Sequence, residues 1–225
     1  MDTARPFTDR AAIARYAEDA PRKVPGYGDL HRMTMLLLAE HAGPDADILV
    51  YGAGGGLDLK AFAGSQPGWR LLGVDPSAPM LDLAREVLGP LAERIVLQQG
   101  FIDDVAQGPF DGATCLLTLH FMPRDERLKV LRELHRRLKP GSPLIVAHHS
   151  WPPGSDMQSW LTRSIAFADG DALDFGKASA SAESMCARLP FLSSDEDEAL
   201  LRQAGFSDPA LFYAAFSFRG WVALA

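Results

Sequence analysis

The sequence predicts an α/β fold, in which one domain over residues 1–225 contains a largely parallel sheet that ends in an antiparallel hairpin. The first observation is that, from Ile48 on, short apolar runs alternate with segments of helical periodicity, as in a doubly wound parallel sheet. The second is that 225 residues, of which 47% are hydrophobic, can bury one full core. The third is a pair of apolar segments near the C-terminus, residues 211–218 and 221–224, which predict the hairpin.

Residues 1–44 predict a helical cover that precedes the sheet. Helical spacing of apolar residues over 9–20 predicts a first helix, which we expect Pro21 to end. Proline and glycine are too frequent in residues 21–28 for a regular element, so a loop is expected there. A second helix is expected over residues 29–42, with a buried face formed by Leu30, Met33, Leu36, Leu37 and Leu38.

The middle of the chain predicts strands and crossover helices in alternation. The expected strands are residues 48–51, 71–74, 95–97, 113–119 and 143–147. The expected helices are residues 57–63, 78–88 and 124–138. Ser77 is a suitable N-cap for the second of these helices, and Lys139-Pro140-Gly141 ends the third.

The last third of the chain loses this alternation. Residues 151–194 mix glycine, serine, aspartate and aromatic residues with weak helical periodicity, so we expect a lid of short helices inserted after the fifth strand. A helix is expected over residues 196–204, and the acidic run 195–198 at its start is explained by the positive end of the helix dipole. The closing hairpin is expected to turn at Arg219-Gly220.

Charge and cysteine content exclude several classes of protein. Lys and Arg number 22 against 29 Asp and Glu, a net charge of -7, so no overall basic field attracts nucleic acid. The basic helix over residues 124–139 also carries Glu126 and Glu133, so we interpret it as a solvated face. Two distant cysteines, Cys115 and Cys186, predict no disulfide framework and favour a reducing cytoplasm. No segment has the roughly 20 apolar residues of a membrane span, and a homodimer is left open.

A glycine-rich turn after the first predicted strand is the main functional signal. The strand runs into Gly52, Gly54 and Gly56, which open a helix. In open parallel sheets, ligands bind beyond the carboxyl ends of the strands, where glycine lets the backbone approach closely. About 20 residues later the second strand ends at Asp75, whose carboxylate can accept both hydrogen bonds of a ribose diol. The two features together predict a nucleoside-containing cofactor.

The glycine spacing excludes two common nucleotide sites. The dinucleotide fingerprint requires a glycine at the sixth position of the motif, which is Leu57 here. A phosphate-binding P-loop requires Gly-Lys-Ser/Thr after the glycines, and that triplet does not follow.

Three motifs, residues 50–56, 73–75 and 138–141, together resemble the class I S-adenosylmethionine-dependent methyltransferases. The resemblance implies a Rossmann-like fold with a seven-stranded sheet, S-adenosylmethionine as the cofactor and S-adenosylhomocysteine as the product. Shorter segments are similar to the carboxy-S-adenosylmethionine synthases, an offshoot of that fold. These segments are residues 24–27, 75–80, 118–122 and 216–224.

The resemblance also implies which residues hold the cofactor. Tyr27 and the Gly52-Ala53-Gly54 backbone lie at its methionine part, and Asp75 with Pro76 lies at the ribose. The remaining expected contacts are Gly56 and Met80, Phe101 and Ile102 beside the adenine, and Leu116, Leu117 and Thr118 next to the sulfonium.

Three positions depart from the family pattern. The acidic residue that usually precedes the glycine loop is Val50 here, and the one that usually faces the adenine is Phe101, whose ring can stack instead. Asp103 or Asp104 is an alternative partner for the adenine. Where the carboxylated-cofactor branch has an arginine before a Ser-Met pair, this chain has Glu183, which would repel the extra carboxylate. We therefore expect ordinary S-adenosylmethionine.

Methyl transfer needs mainly alignment and exclusion of water, because a methyl on a sulfonium is already activated. A protonated acceptor also needs a base, and His120 and His148 are the candidates, with a strand-end hydrogen bond as the alternative role of each. Neighbouring strand residues face opposite ways, so at most one of His148 and His149 faces the cleft. No acidic ligand at suitable spacing accompanies these histidines, so no metal is expected.

Aromatic residues in the lid have two interpretations. They either build an apolar acceptor pocket or form the core of the lid itself. These residues are Trp151, Trp160, Phe167 and Phe175. Before Tyr27, Arg22 and Lys23 either grip a carboxylate of a ligand or serve as solubilising charges.

The function we expect is methylation of a small-molecule acceptor with S-adenosylmethionine in the cytoplasm, without a nucleic-acid or membrane partner. A first alternative, implied by the narrower resemblance, is a carboxy-S-adenosylmethionine synthase-like enzyme linked to tRNA wobble uridine modification. A second is a catalytically silent fold that binds a nucleoside, for which Val50 and Phe101 are the reason.

Overall fold

A computed structural model of the chain describes residues 9–170 and 173–225. Residues 1–8 of the expected N-terminal cover and residues 171–172 of the expected lid lie outside the described residues. Among the residues that are described, no helix is both long enough and apolar enough to cross a membrane.

The core of the molecule is one mixed sheet with the strand order β3-β2-β1-β4-β5-β8-β7 and a short β6 beside β5. Its strands are β1 (Asp47–Tyr51), β2 (Arg70–Asp75), β3 (Ile95–Gln99), β4 (Gly112–Leu116), β5 (Pro143–Trp151), β6 (Leu192–Ser193), β7 (Ser207–Ala215) and β8 (Phe218–Leu224). Strands β1 to β5 run parallel to one another, whereas β8 is antiparallel to β5 and to β7. The predicted α/β fold, largely parallel with an antiparallel C-terminal pair, is confirmed.

Helices cover both faces of this sheet. They are α1 (Arg10–Lys23), α2 (Tyr27–Ala39), α3 (Leu57–Ser65), α4 (Ala78–Leu88), α5 (Arg124–Arg136), α6 (Met157–Ala168), α7 (Phe175–Arg188) and α8 (Ser194–Ala204). Buried residues of α2 and α3, such as Leu30 and Phe62, pack on one face, and those of α5 and α8, such as Leu134 and Leu200, pack on the other. Ser77 caps α4 as predicted, because its side chain accepts a hydrogen bond from the Met80 N–H.

The N-terminal cover differs from the prediction at the loop. Helix α1 continues through Pro21 to Lys23, because the proline lies in the last turn and the Val24 N–H still donates to the Ala20 carbonyl. Helix α2 then begins at Tyr27 instead of residue 29, after Gly26 in a left-handed conformation. The expected buried residue Leu36 is exposed, and the buried face of α2 is Tyr27, Leu30, His31, Thr34 and Leu38.

The closing hairpin turns earlier than predicted. Strands β7 and β8 are joined at Phe216 and Ser217, so Arg219 and Gly220 lie inside β8. The Arg219 guanidinium donates to the Phe216 and Phe218 carbonyls and thereby holds the turn. Gly220 is required for close packing rather than for a turn, because a Cβ there would lie 3.0 Å from the Phe212 ring.

The fourth strand is shorter than the predicted residues 113–119, since β4 ends at Leu116. Leu117 adopts a left-handed backbone with φ of 55°, and residues 119–121 form a single 3₁₀ turn. His120 therefore lies on this turn, not on the strand. The chain leaves the sheet here because Leu117 breaks the extended conformation.

Residues 151–194 contain longer helices than their weak periodicity predicts. Helices α6 and α7 have 12 and 14 residues and pack on each other around Met157, Leu161 and Ala182. Trp151 belongs to β5 and packs against the same small core.

Capping explains only part of the acidic run at the start of α8. Ser193 and Glu196 form a capping box, as the dipole argument requires. Asp197 is instead buried and accepts a hydrogen bond of 2.9 Å from Arg127, and Glu198 accepts one from the Trp221 indole. These two carboxylates connect α8 to α5 and to β8.

Candidate active site

The candidate site lies at the carboxyl ends of the parallel strands. The sheet order reverses between β1 and β4, because β2 and β3 extend on one side and β5 on the other. A crevice forms at such a switch point, outside the strand ends. The glycine turn after β1, Asp75 at the end of β2, and Leu117 after β4 all reach this crevice.

The glycine turn has a backbone that only glycine adopts easily. Gly52, Gly54 and Gly56 have φ values of 76°, 45° and 76°. The N–H groups of Gly52 and Ala53 donate to the Val74 carbonyl at 2.8 and 3.0 Å, which fixes the turn to β2. A Cβ on Gly52 would overlap the Thr118 hydroxyl at 2.1 Å, so Thr118 is held directly against the turn.

Asp75 connects the two halves of the predicted nucleoside site. Its Oδ2 accepts the Gly54 N–H at 2.9 Å, and its Oδ1 accepts the Ser77 N–H at 2.8 Å. The side chain is buried, and burial raises the pKa of Asp75 although these two hydrogen bonds act in the opposite direction. Each oxygen retains a second lone pair for a ligand hydroxyl.

A narrow slot of about 50 Å³ runs along these residues. Nine of the expected cofactor residues line it, namely Gly52, Gly54, Asp75, Pro76, Met80, Phe101, Leu116, Leu117 and Thr118. Ile102 does not line the slot, because it is buried in the core on the α5 side. Four residues that the sequence did not predict complete the lining, namely Tyr16, Tyr51, Phe121 and Met122.

A smaller cavity adjoins the slot beneath α1 and α2. It contains the other expected cofactor residues, Tyr27, Ala53 and Gly56. Its remaining polar lining, which sequence analysis missed, is Tyr16, His31 and Asp58. Burial raises the pKa values of both tyrosines and lowers that of His31 to about 4, so all three side chains are neutral at pH 7.

A larger cavity of about 320 Å³ opens on the same side. It shares Tyr16, Met80, Leu117 and Phe121 with the slot. Its lining is mainly apolar, and the polar groups in its wall include the imidazoles of His120 and His149. The cavity therefore has the form of an apolar ligand site with a few polar groups.

His149 is held in one orientation by its neighbours. Its Nδ1 lies 2.8 Å from the Ser217 hydroxyl, which in turn lies 2.7 Å from the Ser164 hydroxyl. The ring stacks on Phe218 at a centroid distance of 4.0 Å and meets the edge of His120 at 4.8 Å. Burial lowers the pKa of His149 to about 3 and holds that of His120 well below its usual range. Both rings are neutral at pH 7, and the buried His120 Nδ1 has no hydrogen-bond partner among the described residues.

His148 is not in the cleft, which corrects its selection as a candidate catalytic residue. Its side chain faces the opposite side of the sheet, where Nε2 lies 3.2 Å from Asp197 Oδ2 without hydrogen-bond geometry. The His148 ring also packs near Trp221, in the core on the α5 side. The alternation of strand residues was correct, but His149 is the one that faces the cavity.

The aromatic residues of the expected lid do not line the described cavities at the site. Trp151 packs in the small core between α6 and α7. Trp160 is covered by the guanidinium groups of Arg163 and Arg219 at 4.6 and 5.5 Å. Phe167 packs on Phe216, and Phe175 is exposed. The acceptor-pocket interpretation is therefore not met by these side chains.

The charged residues expected to attract or repel a carboxylate lie at the edge of the site or outside it. Lys23 lines the mouth of the larger cavity and pairs with Asp19 at 3.2 Å, whereas Arg22 is exposed outside it. Glu183 is exposed on α7 and lines none of the cavities at the site. It is therefore not placed to repel a carboxylate on the cofactor.

Asp103 and Asp104, the alternative partners of an adenine, have other roles. Asp103 pairs with Lys129 at 2.6 Å, and Asp104 caps the turn after β3 by accepting the Phe101 N–H at 2.8 Å. Neither lines the slot, whereas the Phe101 side chain does.

The sequence is similar to a family profile and to individual enzymes. A family profile described as a methyltransferase domain matches residues 48–141. A carboxy-S-adenosyl-L-methionine synthase of Chromohalobacter salexigens is 31% identical over 157 residues, which span 68% of this chain and 58% of that relative. An enzyme of the same name from Actinobacillus succinogenes is 26% identical over 90% of this chain and 86% of its own.

The fold is also similar to a solved methyltransferase. Magnesium protoporphyrin IX methyltransferase from Synechocystis, with bound S-adenosylhomocysteine, has a TM-score of 0.63 and 16% identity over 88% of this chain and 79% of that one. Residues 48–141 of the chain form a class I S-adenosylmethionine-dependent methyltransferase domain. The comparisons support S-adenosylmethionine, the cofactor predicted from the sequence.

The residues of this methyltransferase fit that cofactor. A Cβ on Gly54 would lie 3.4 Å from the Met80 side chain, so the glycine keeps this part of the slot clear. Asp75 has acceptor capacity for a ribose diol, and Phe101 offers a ring to an adenine. Position 50 is a valine and therefore offers no carboxylate to the cofactor. The Val50 side chain is buried among apolar residues of β1 and its neighbours.

Proposed function

We propose that this methyltransferase binds S-adenosylmethionine along the slot and methylates a small molecule held in the cavity beside it. In this arrangement Asp75 with Pro76 binds the ribose, Phe101 contacts the adenine, and Tyr27 lies at the methionine part. The observation that carries the proposal is the continuity of the two spaces. Leu117 and Phe121 form part of the wall of both the slot and the larger cavity, so a donor and an acceptor can meet there.

The cofactor supplies a methyl group on a positively charged sulfur, so the chain has to align the acceptor and exclude water. The wall around Leu116, Leu117 and Thr118 is mainly apolar and suits both tasks. Helix α1 covers the larger cavity, because its Ile13 and Tyr16 line the wall.

His149 is proposed to accept a hydrogen bond from an acceptor that carries a hydroxyl group. Its hydrogen bond to Ser217 fixes the ring, and its position in the cavity wall brings it to the acceptor side. Because burial lowers its pKa to about 3, the neutral imidazole orients a hydroxyl by accepting its hydrogen bond and is a weak base at pH 7. His120, with its unpartnered Nδ1, is proposed to orient the same acceptor by a hydrogen bond.

Titration calorimetry with S-adenosylmethionine and S-adenosylhomocysteine tests this function. We expect both to bind, and Asp75→Ala to weaken binding about 30-fold, because charged hydrogen bonds to the ribose contribute about 2 kcal/mol. Asp82→Ala is the matched control, since Asp82 is an exposed acid on α4 that pairs with Arg85. No binding of either compound would refute the function, and equal affinity of the two variants would refute the assigned ribose contact.

A second candidate function follows from the relatives named carboxy-S-adenosyl-L-methionine synthase. The cavity beside Leu117 and His149 argues for the ordinary cofactor, because its inner wall is neutral and its cations, Arg15 and Lys23, lie at the exposed mouth. Mass spectrometry of the protein as purified distinguishes the two. A bound carboxylated cofactor would replace the proposed methyl transfer by the second function.

The proposal also covers the cellular compartment and the binding partners of the protein. Both cysteines are free, and Cys115 is buried, which suits a reducing compartment such as the cytoplasm. We propose a small-molecule acceptor rather than a nucleic acid, because the net charge is -7 and the cavity is mainly apolar. A homodimer stays a prediction.

A further inference from the structure

Asp58 is a buried acid that the proposed reaction does not use. It is the second residue of α3, directly after the glycine turn, and its side chain points inward with 7% exposure. Its Oδ1 accepts the Leu59 N–H at 2.8 Å. Acids at a helix start usually face solvent, as Asp29 does in the first turn of α2.

No cation of the described residues balances this carboxylate. No lysine, arginine or histidine contributes to the pKa of Asp58, which burial raises to about 7. Tyr16, Tyr27 and His31 share its cavity, and all three are neutral at pH 7. Buried carboxylates are normally paired with a positive charge, because an uncompensated charge is costly in a dry interior.

The cavity of Asp58 is the continuation of the cofactor slot. Both spaces are lined by Gly52, Leu116 and Leu117. Asp75 lines the slot but not this cavity, so the two acids serve different ends of the same elongated space. The strand residue Val50 offers no carboxylate to this region.

We propose that Asp58 is the counter-ion of the α-ammonium group at the amino-acid end of the cofactor. Asp58 binds the ammonium group from α3, whereas the strand position two residues before Gly52 holds the apolar Val50. The assignment rests on the proposed cofactor slot. It gives this chain a cofactor-binding residue on a different element from the strand that precedes the turn.

Two nucleosides that differ only at the amino-acid end test the assignment. S-adenosylhomocysteine has the ammonium group, whereas 5′-methylthioadenosine has the same nucleoside and no amino acid. We expect Asp58→Asn to weaken binding of S-adenosylhomocysteine about 30-fold, because it removes a charge-assisted hydrogen bond. Binding of 5′-methylthioadenosine should change less than about twofold, because the ribose and adenine contacts remain. Asp29→Asn is the matched control, because Asp29 is an exposed acid in the first turn of α2.

The outcomes separate this assignment from the proposed function. Unchanged affinity of Asp58→Asn for S-adenosylhomocysteine would overturn the assignment and leave the slot intact. An equal loss for both nucleosides would also overturn it, since Asp58 would then only support the slot. If the unaltered protein binds neither nucleoside, the proposed function fails as well.

A second measurement uses the unaltered protein, so its result does not depend on whether the Asp58→Asn variant folds. Calorimetry at pH 7 in buffers of different ionisation enthalpy should show release of about half a proton with S-adenosylhomocysteine, because the ammonium stabilises the Asp58 carboxylate. With 5′-methylthioadenosine none should be released through Asp58. Equal proton release with both nucleosides would contradict the assignment. The other titratable groups near Asp58 are Tyr16, Tyr27, His31, Asp75 and Cys115.

Discussion

Replacing Asp58 by asparagine should stabilise the protein, and the gain should depend on pH. Burial raises the pKa of Asp58 from 3.8 to about 7. The folded state therefore binds a proton more tightly than the unfolded chain, and stability falls as pH rises from about 4 to about 7. About three pH units at about 1.4 kcal/mol each amount to about 4 kcal/mol. Asparagine resembles the protonated acid in shape and hydrogen bonding but has no charge to bury.

Urea unfolding of both proteins at pH 5 and pH 8 measures this effect. We expect Asp58→Asn to be more stable by about 2 kcal/mol at pH 5 and by about 4 kcal/mol at pH 8. Titrations of groups that both proteins share cancel in the difference. A difference that does not grow with pH would refute the raised pKa, and a loss of stability at pH 8 would show that the carboxylate has a partner in the folded protein.

Two further substitutions test the site and the core. Gly54→Val should abolish binding of S-adenosylhomocysteine while the circular dichroism spectrum is retained, because φ is 45° and the side chain would enter the slot; Gly64→Val, in open space on α3, should bind normally. Arg127→Met should lower the free energy of unfolding by about 3–5 kcal/mol, because it leaves Asp197 buried without its partner. Arg136→Met, at an exposed ion pair, should cost less than about 1 kcal/mol by the same urea assay.

The parts of the site that lie at the carboxyl ends of the strands could be predicted from the sequence. Strand β1 followed by Gly52, Gly54 and Gly56, and β2 followed by Asp75, have local patterns that fix both the elements and their carboxyl ends. Parallel strands bring those ends to one edge, so the contact between Gly54 and Asp75 needs no knowledge of side-chain packing.

The remaining parts depend on packing between distant elements. Tyr16 reaches the site because α1 packs against α2, α4 and α6, and no local pattern in the sequence shows that packing. For His148 and His149, alternation predicted that at most one residue faces the cleft but not which one, because the register of β5 in the sheet decides it. The burial of Asp58 on an otherwise ordinary first helical turn is a result of α1 and α2 packing above it.

The position of Tyr16 has a consequence for any shortened form of the protein. Residues 48–141 match the methyltransferase domain, whereas Tyr16 belongs to α1, well before that segment. The same ring contributes to the wall of the slot, of the acceptor cavity and of the chamber around Asp58. A chain trimmed to the sheet and its crossover helices would therefore keep its strand order but leave all three compartments open to bulk water.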